Sequence, residues 1–403
     1  MESTTIELRP ITLLFGRNAA GKSALARALP LLAASARSED GVPLALGSPE
    51  ARGASYKEIA SRLSERNALG FSLAWDDREG AVRKIDLQLR EMPEQNRHIV
   101  EHLRADIDGR ELKLRYEPTQ ASDKYEVTWA GKTTTRPLRF AGIRPCVEPG
   151  LPRGLEAALV HVRSRLSTFA KSVHWLTAVR ASIPRRSAPI RGARLGPAGE
   201  SVEQILIEDY QRERRLISCI NPSYRVMFQH ELQVEQTAEG AAVVLVPIVG
   251  APIFTALADT GEGASQVLPV FVLGALADTG QLDSYPLLIL EQPEMHLHPA
   301  AEQELASFLC KVAKGKNTRL LVETHSENLL LFVQLALAKG HLTPDDVAVY
   351  FVRPVPPGGG SVADRVELDE FGRSKGWPPG VFSEDVETAR ELFLTQRRRA
   401  SAS

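Results

Sequence analysis

The stretch Ile11-Thr12-Leu13-Leu14-Phe15-Gly16-Arg17-Asn18-Ala19-Ala20-Gly21-Lys22-Ser23 decides how this chain is read. Its first five residues are a short apolar run of the kind a buried parallel strand shows, and an alanine- and leucine-rich helical segment follows Lys22. Between them, Gly16 to Ser23 satisfies G-x-x-x-x-G-K-[ST], the P-loop. The glycines let successive backbone N–H groups turn inward around phosphate oxygens, and the following helix presents the positive end of its dipole. In this frame Asn18, Ala19, Ala20 and Gly21 line the cradle, Lys22 reaches the β- and γ-phosphates of ATP, and Ser23 places its hydroxyl on Mg²⁺. A chance match is expected in roughly one chain in a hundred of this length, before the strand–loop–helix context is demanded.

Three later segments fit around that loop. Leu287 to Glu294 (LLILEQPE) is an apolar strand ending in acids, which suits a Walker B strand whose tip, Glu291, holds the Mg²⁺ hydration shell; a core strand emerging into an acidic surface turn has the same pattern. Leu320 to Ser326 (LLVETHS) is another apolar strand with a polar turn, where His325 would contact the γ-phosphate or the attacking water, or else serve as a surface or capping residue. Asp259 to Gln266 (DTGEGASQ) precedes a Val- and Leu-rich helix. Gly261, Gly263 and Ser265 there either expose donors to a phosphate arriving from outside or form a turn capping a core helix.

Strands expected at Tyr285–Leu290, Arg319–Val322 and Val347–Phe351 alternate with helices, the signature of a parallel sheet. The expected architecture is therefore α/β: a discontinuous ATPase-type core at residues 1–35 and 255–355, with an inserted antiparallel-sheet and helical region at 36–254. Within the insertion, alternation predicts a meander with strands at Phe71–Trp75, Val82–Leu89, Glu111–Tyr116 and Lys124–Trp129. A helix is expected over Leu155–Val173, another over Val202–Arg215, and strands at Tyr224–Phe228 and Ala242–Val249. Residues 356–403 are read as a small module, with a strand near Arg365–Leu368, a Trp377–Pro379 turn, a helix at Ser383–Thr395 and a disordered end.

Composition removes several classes. A chain of 403 residues with 43% hydrophobic side chains can bury a sizeable core. With 49 Lys and Arg against 50 Asp and Glu, nucleic-acid binding would need a local patch. Candidates are Arg180, Arg185, Arg186, Arg191 and Arg194, then Arg212, Arg214 and Arg215, and Arg397–Arg399, although such clusters are more often solvated faces. Three scattered cysteines argue against a disulfide scaffold or structural zinc and for a reducing compartment. No apolar run reaches the ~20 residues of a membrane helix, so a soluble, cytoplasmic protein is expected.

The order of P-loop, glycine–serine loop, acid-tipped strand followed by Pro293, and Thr324-His325-Ser326 resembles that of ABC-type P-loop NTPases. Glu291-Gln292-Pro293-Glu294-Met295-His296-Leu297-His298-Pro299 and Glu323 to Glu327 are similar to the bacterial OLD-like branch, often found in phage-defence operons. Phe371-Gly372 through Trp377-Pro378 to Phe382 resembles a small C-terminal module of some of these ATPases. The resemblance covers the first 30 or so residues and most of the chain after about residue 255. It implies a head-to-tail homodimer or higher homo-oligomer that sandwiches ATP. Nucleotide would lie on Asn18, Gly21, Lys22 and Ser23, Mg²⁺ on Ser23 and Glu291, the γ-phosphate on His325, and the opposite copy's phosphate on Gly261, Gly263 and Ser265. The last loop lacks an L-S-G-G-Q string.

Position 292 departs from the usual pattern. Where many ABC ATPases carry a water-activating glutamate there is Gln292, and an amide cannot accept a proton. Slow hydrolysis is expected, with Glu294 or the γ-phosphate as proton acceptor. No D-x-D cluster follows His325, so a nuclease would be a separate protein, and no sustained heptads mark a long coiled-coil arm. The leading expectation is an ATP-driven switch subunit of an anti-phage system that controls a separate effector, a nuclease or toxin. A DNA-binding repair or recombination clamp and a scaffold that scarcely hydrolyses ATP are the alternatives.

Overall fold

A computed structural model describes residues 3–60, 68–76, 81–95, 97–118, 124–283, 285–315, 317–355 and 360–375. The Trp377–Pro379 turn, the Ser383–Thr395 helix and Arg397–Arg399 lie outside the described residues. The core sheet holds β1 (Ile11–Phe15), β2 (Val173–Leu176), β3 (Leu287–Glu291), β4 (Arg319–Glu323), β5 (Val347–Pro354) and β6 (Ser361–Leu368). Its order is β2-β3-β4-β1-β5-β6, with the short strand Ser374–Lys375 at the edge. The first five run parallel and β6 returns antiparallel to β5.

All five residues of β1 are buried, as a central strand covered on both faces requires. Side chains alternate between two cores. Ile11, Leu13 and Phe15 point into one, packed by helices α3 (Val202–Gln211), α4 (Arg215–Phe228), α5 (Glu262–Asp278), α6 (Pro299–Lys314) and α7 (Glu327–Ala338). Leu14 points into the other, packed by α1 (Lys22–Arg37), α2 (Arg153–Ser172) and a six-stranded meander. The meander runs Ala68–Ala74, Val82–Met92, Arg97–Ile107, Arg110–Glu117, Lys124–Trp129 and Lys132–Pro137 in consecutive antiparallel order. The α/β class, with a parallel core sheet and an antiparallel meander, is thus what the residues build.

Several details differ from expectation, and in two of them strand and helix are exchanged. The helix expected over Leu155–Val173 stops at Ser172, and Val173, with the unassigned residues His174 to Leu176, forms β2 and pairs with β3, so the core sheet draws an edge strand from the middle of the chain. The buried stripe of α2 runs straight into Val173, and four residues are too few to show a change of period. Tyr224–Phe228 is the last stretch of α4, not a strand: Leu216, Ile217, Ile220 and Tyr224 recur at helical spacing and are buried, while Pro222 inside the helix mimics a break. Among the described residues no helix is long and apolar enough to cross a membrane.

Candidate functional site

The ends of β1, β3 and β4 emerge on the same edge of the sheet, because these strands are parallel and in step. After β1 the chain enters the P-loop at Gly16, where an added Cβ would lie 2.3 Å from the carbonyl oxygen of Val352 on β5; only glycine lets the loop pass. Gly21 caps α1 in the left-handed region at φ 98°, and an added Cβ there would meet Ser361 Oγ at 2.5 Å. Helices α6 and α7 are closed at their starts by side chains, His298 Nδ1 accepting from Ala300 N and Ser326 Oγ from Leu329 N. Helix α1 has no such cap and no acid in its first turn. Its first N–H groups and the positive dipole end are left to an anion.

Lys22 is 4% exposed and donates to the carbonyl oxygens of Gly16, at 2.7 Å, and Arg17, at 2.9 Å. An ammonium has three donors, so one is left for a phosphate oxygen. Burial lowers its pKa, partly opposed by the nearby Glu323 carboxylate.

Two carboxylates stand side by side at the sheet edge, since Glu291 on β3 is in register with Glu323 on β4. Both lie on the face covered by α1, where Ser23 and Arg27 project one turn apart. Ser23 Oγ donates to Glu323 Oε1 at 2.6 Å. Arg27 grips Glu291 with both arms of its fork, Nε to Oε1 and Nη2 to Oε2, each at 2.7 Å. Trp175 Nε1 from β2 adds a third donor to Glu291 Oε1 at 2.9 Å. Glu323 Oε2, by contrast, is buried without a hydrogen-bond partner. Burial raises the Glu323 pKa; the Ser23 hydrogen bond and the cations Lys22 and Arg27 lower it, and neighbouring Glu291 raises it further. Among the described residues no cluster of three or more His, Cys, Asp or Glu side chains forms a metal cage. One hydroxyl, a carboxylate and phosphate oxygens nevertheless suit a Mg²⁺ that keeps much of its water.

Beyond β4, Glu294 Oε1 accepts from Thr324 Oγ1 at 2.5 Å and from the His325 backbone N–H at 3.1 Å, so Glu294 orders the turn that carries His325. Its other oxygen is buried and unpaired, and burial raises its pKa. His325 is held below the usual imidazole value by burial and by the Lys22 charge, so its ring is neutral at neutral pH. Gln292 adopts φ 43° and donates its backbone N–H to Glu323 O at 2.7 Å, extending the ladder between the two acid-bearing strands.

Helix α5 opens with Gly261 as N-cap and, like α1, has no side-chain cap, but unlike α1 it carries an acid, Glu262, in its first turn. An added Cβ at Gly263 would lie 2.9 Å from His296 O, placing this start against the loop after β3. Ser265 Oγ donates to Glu262 O at 3.1 Å, and Glu262 lies 3.2 Å from His296 Nδ1.

Four neighbours escaped the sequence reading. Arg27 could have been found four residues after Ser23, and Glu323 sat unassigned in the LLVETHS string. Trp175 carried no signal before β2 was placed. Arg180, grouped with a surface basic cluster, is 4% exposed and donates to Gln266 O and Glu291 O at 3.2 Å each. Of the other arginines, Arg185 pairs with Asp259, Arg186 with Glu239, Arg212 with Glu208 and Arg215 with Glu213, while Arg214 covers the Tyr210 ring.

The fold is mixed α/β, with a G-x-x-x-x-G-K-[ST] loop between the first core strand and its helix. A family model described as AAA domain, putative AbiEii toxin, Type IV TA system matches residues 249–331. No curated protein matches the chain. Among solved structures it is similar to an Smc head bound to the C-winged helix domain of ScpA, at 11% identity over 91% of this chain and 93% of that one, TM-score 0.42. It is also similar to the SMC head domain from Thermotoga maritima, at 12% identity over 91% and 94%, TM-score 0.41. A third is an Smc head with an extended coiled coil bound to the C-terminal domain of ScpA, from Pyrococcus furiosus, at 11% identity over 98% and 95%, TM-score 0.40.

Proposed function

We propose that this chain binds ATP with Mg²⁺ between Gly16 and Ser23, hydrolyses it slowly, and uses it to join two copies head to tail. In this reading the dimer is the switch subunit of a bacterial anti-phage system and governs a separate nuclease or toxin. The observation that carries the nucleotide part is the meeting, at one sheet edge, of an uncapped helix start, the Lys22 ammonium and two adjacent carboxylates. The defence part draws on the E-x-P-E-x-H-L-H-P string of the OLD-like branch and on the toxin–antitoxin description of the matched family model.

Each side chain then has a task. Mg²⁺, when bound, neutralises charge on the phosphate oxygens. Lys22 and the first N–H groups of α1 hold the phosphates, with Asn18, Ala19 and Ala20 as the loop wall. Neutral His325, aimed by Glu294, meets the γ-phosphate. Gln292 orients water but takes no proton, so the unpaired Glu294 oxygen or the γ-phosphate must. Gly261, Gly263 and Ser265 present the uncapped start of α5 to the other copy's phosphate. Arg185, Arg186, Arg212 and Arg215 each lie beside a carboxylate, which offsets part of the positive charge on which a DNA-clamp reading would rest.

Sedimentation with and without ATP tests this directly. Wild type should shift from monomer to dimer with ATP, and Lys22→Ala should bind nucleotide about 10- to 100-fold more weakly, the worth of one charge-assisted phosphate contact, and stay monomeric. Undiminished binding and association in that variant would remove the proposal.

A further inference from the structure

We propose that Glu323 at the tip of β4, rather than Glu291 at the tip of β3, is the protein carboxylate that faces Mg²⁺ beside Ser23. Arg27, Glu291 and Trp175 form the positioning cluster behind it. This rests on the nucleotide reading above and assigns the metal-facing residue within that site.

Three observations carry it. The Ser23 hydroxyl already donates to Glu323 Oε1 at 2.6 Å. A hydroxyl has one proton and two lone pairs, so Ser23 can turn its lone pairs to a cation while its proton stays on Glu323, with no rearrangement of either side chain. Second, Glu323 has an oxygen to spare: Oε2 is buried without a partner, and such an atom is satisfied by a bound cation or by that cation's water. Third, Glu291 is already engaged. Of its roughly four acceptor sites, three are taken, by Arg27 Nε, Arg27 Nη2 and Trp175 Nε1. A divalent cation drawn to Glu291 would also meet the guanidinium bonded to both of its oxygens, whereas Glu323 feels Lys22 and Arg27 through space and is bonded to neither.

The register explains how a strand between the P-loop strand and β3 comes to supply the acid. Leu14 of β1 is paired with Glu323, and Glu323 with Glu291. Glu323 is therefore one strand from the loop and Glu291 two. On α1, Ser23 reaches the nearer carboxylate and Arg27, one turn further along, the more distant one.

The test is the affinity for mant-ATP measured in Mg²⁺ and in EDTA, in wild type, Glu323→Gln and Glu291→Gln. The amide at 323 keeps the Ser23 contact and removes only the charge. The gain in affinity that Mg²⁺ confers should fall at least about tenfold in Glu323→Gln, and stay within about threefold of wild type in Glu291→Gln. Binding in EDTA, which depends on Lys22 and the loop, reports that each variant is folded. If Glu323→Gln fails to fold, Glu323→Asp, which keeps the charge but withdraws it, should show the same loss of the Mg²⁺ gain. An unchanged gain in the 323 variants, or an equal or larger loss in Glu291→Gln, overturns the assignment. A wild type that binds mant-ATP in neither buffer removes the nucleotide reading itself.

Discussion

Removing the Arg27 guanidinium should damage the protein far more than removing its partner's charge. Glu291 is 2% exposed and receives two of its three hydrogen bonds from Arg27. In Arg27→Met its carboxylate stays buried with the single neutral Trp175 donor and the Arg180 charge held on its backbone oxygen, and a buried carboxylate stripped of its hydrogen-bonded cation costs about 3–5 kcal/mol. Glu291→Gln is milder. The Arg27 side chain is 23% exposed, so its charge is partly hydrated, and the loss is that of the charge-assisted bonds, about 1–2 kcal/mol. The double variant leaves no unpaired charge and should cost little more than Glu291→Gln alone, giving a coupling of about 2–4 kcal/mol in the double-mutant cycle. Arg27→Lys keeps the charge without the fork and should recover only part of the loss. Urea unfolding followed by tryptophan fluorescence reads all four, since Trp175 touches the cluster. A cost below about 1 kcal/mol for Arg27→Met, or additive single effects, would refute the view that Glu291 is held by Arg27.

Two further outcomes follow from other residues. His174 on β2 is half-buried, with its Nε2 atom buried and unpartnered, and burial lowers its pKa to about 4. Its contribution to stability is complete above the unfolded value near 6.5 and is lost as pH falls from about 6.5 to 4, about 3 kcal/mol in all. His174→Gln should flatten that part of the stability–pH curve, and an unchanged slope would contradict it. Gln292→Glu restores a proton acceptor at the tip of β3 and should speed single-turnover hydrolysis at least about tenfold. A wild type that already turns over rapidly, with a variant no faster, would end the slow-hydrolysis idea.

The sequence made the strands at the site legible because each is a short, mostly apolar run leading into a polar turn. Ile11–Phe15, Leu287–Glu291 and Arg319–Glu323 sit within a residue or two of where the pattern puts them. Side-chain pairing across those strands was not legible. That Glu323 rather than Glu291 meets Ser23 depends on sheet order, which places β4 between β1 and β3, and no local pattern encodes that order. Trp175 is a longer-range case, reaching Glu291 across 116 positions from a four-residue strand hidden at the end of a helical stripe. Arg180 was misread for a different reason: runs of arginine are usually surface, and only burial shows that this member turns inward.

Arg180 also bears on how two nucleotide sites in a head-to-tail pair would communicate. Its guanidinium joins the backbone of Gln266, near the start of α5, to that of Glu291, at the tip of β3. Burial lowers its pKa to about 10, which leaves it cationic at neutral pH. Gly263 is closely packed on His296 O, which ties the same helix start to the loop after β3 a second time. In the proposed dimer the start of α5 faces the partner's nucleotide, while the tip of β3 lies beside the chain's own. Closure on one nucleotide would therefore press, through Arg180 and Gly263, on the strand end that serves the other. Such a link transmits a shift only if the joined parts are stiff, and both are: Leu268 and Val270 to Val272 of α5 and Leu288 to Leu290 of β3 are buried in the core.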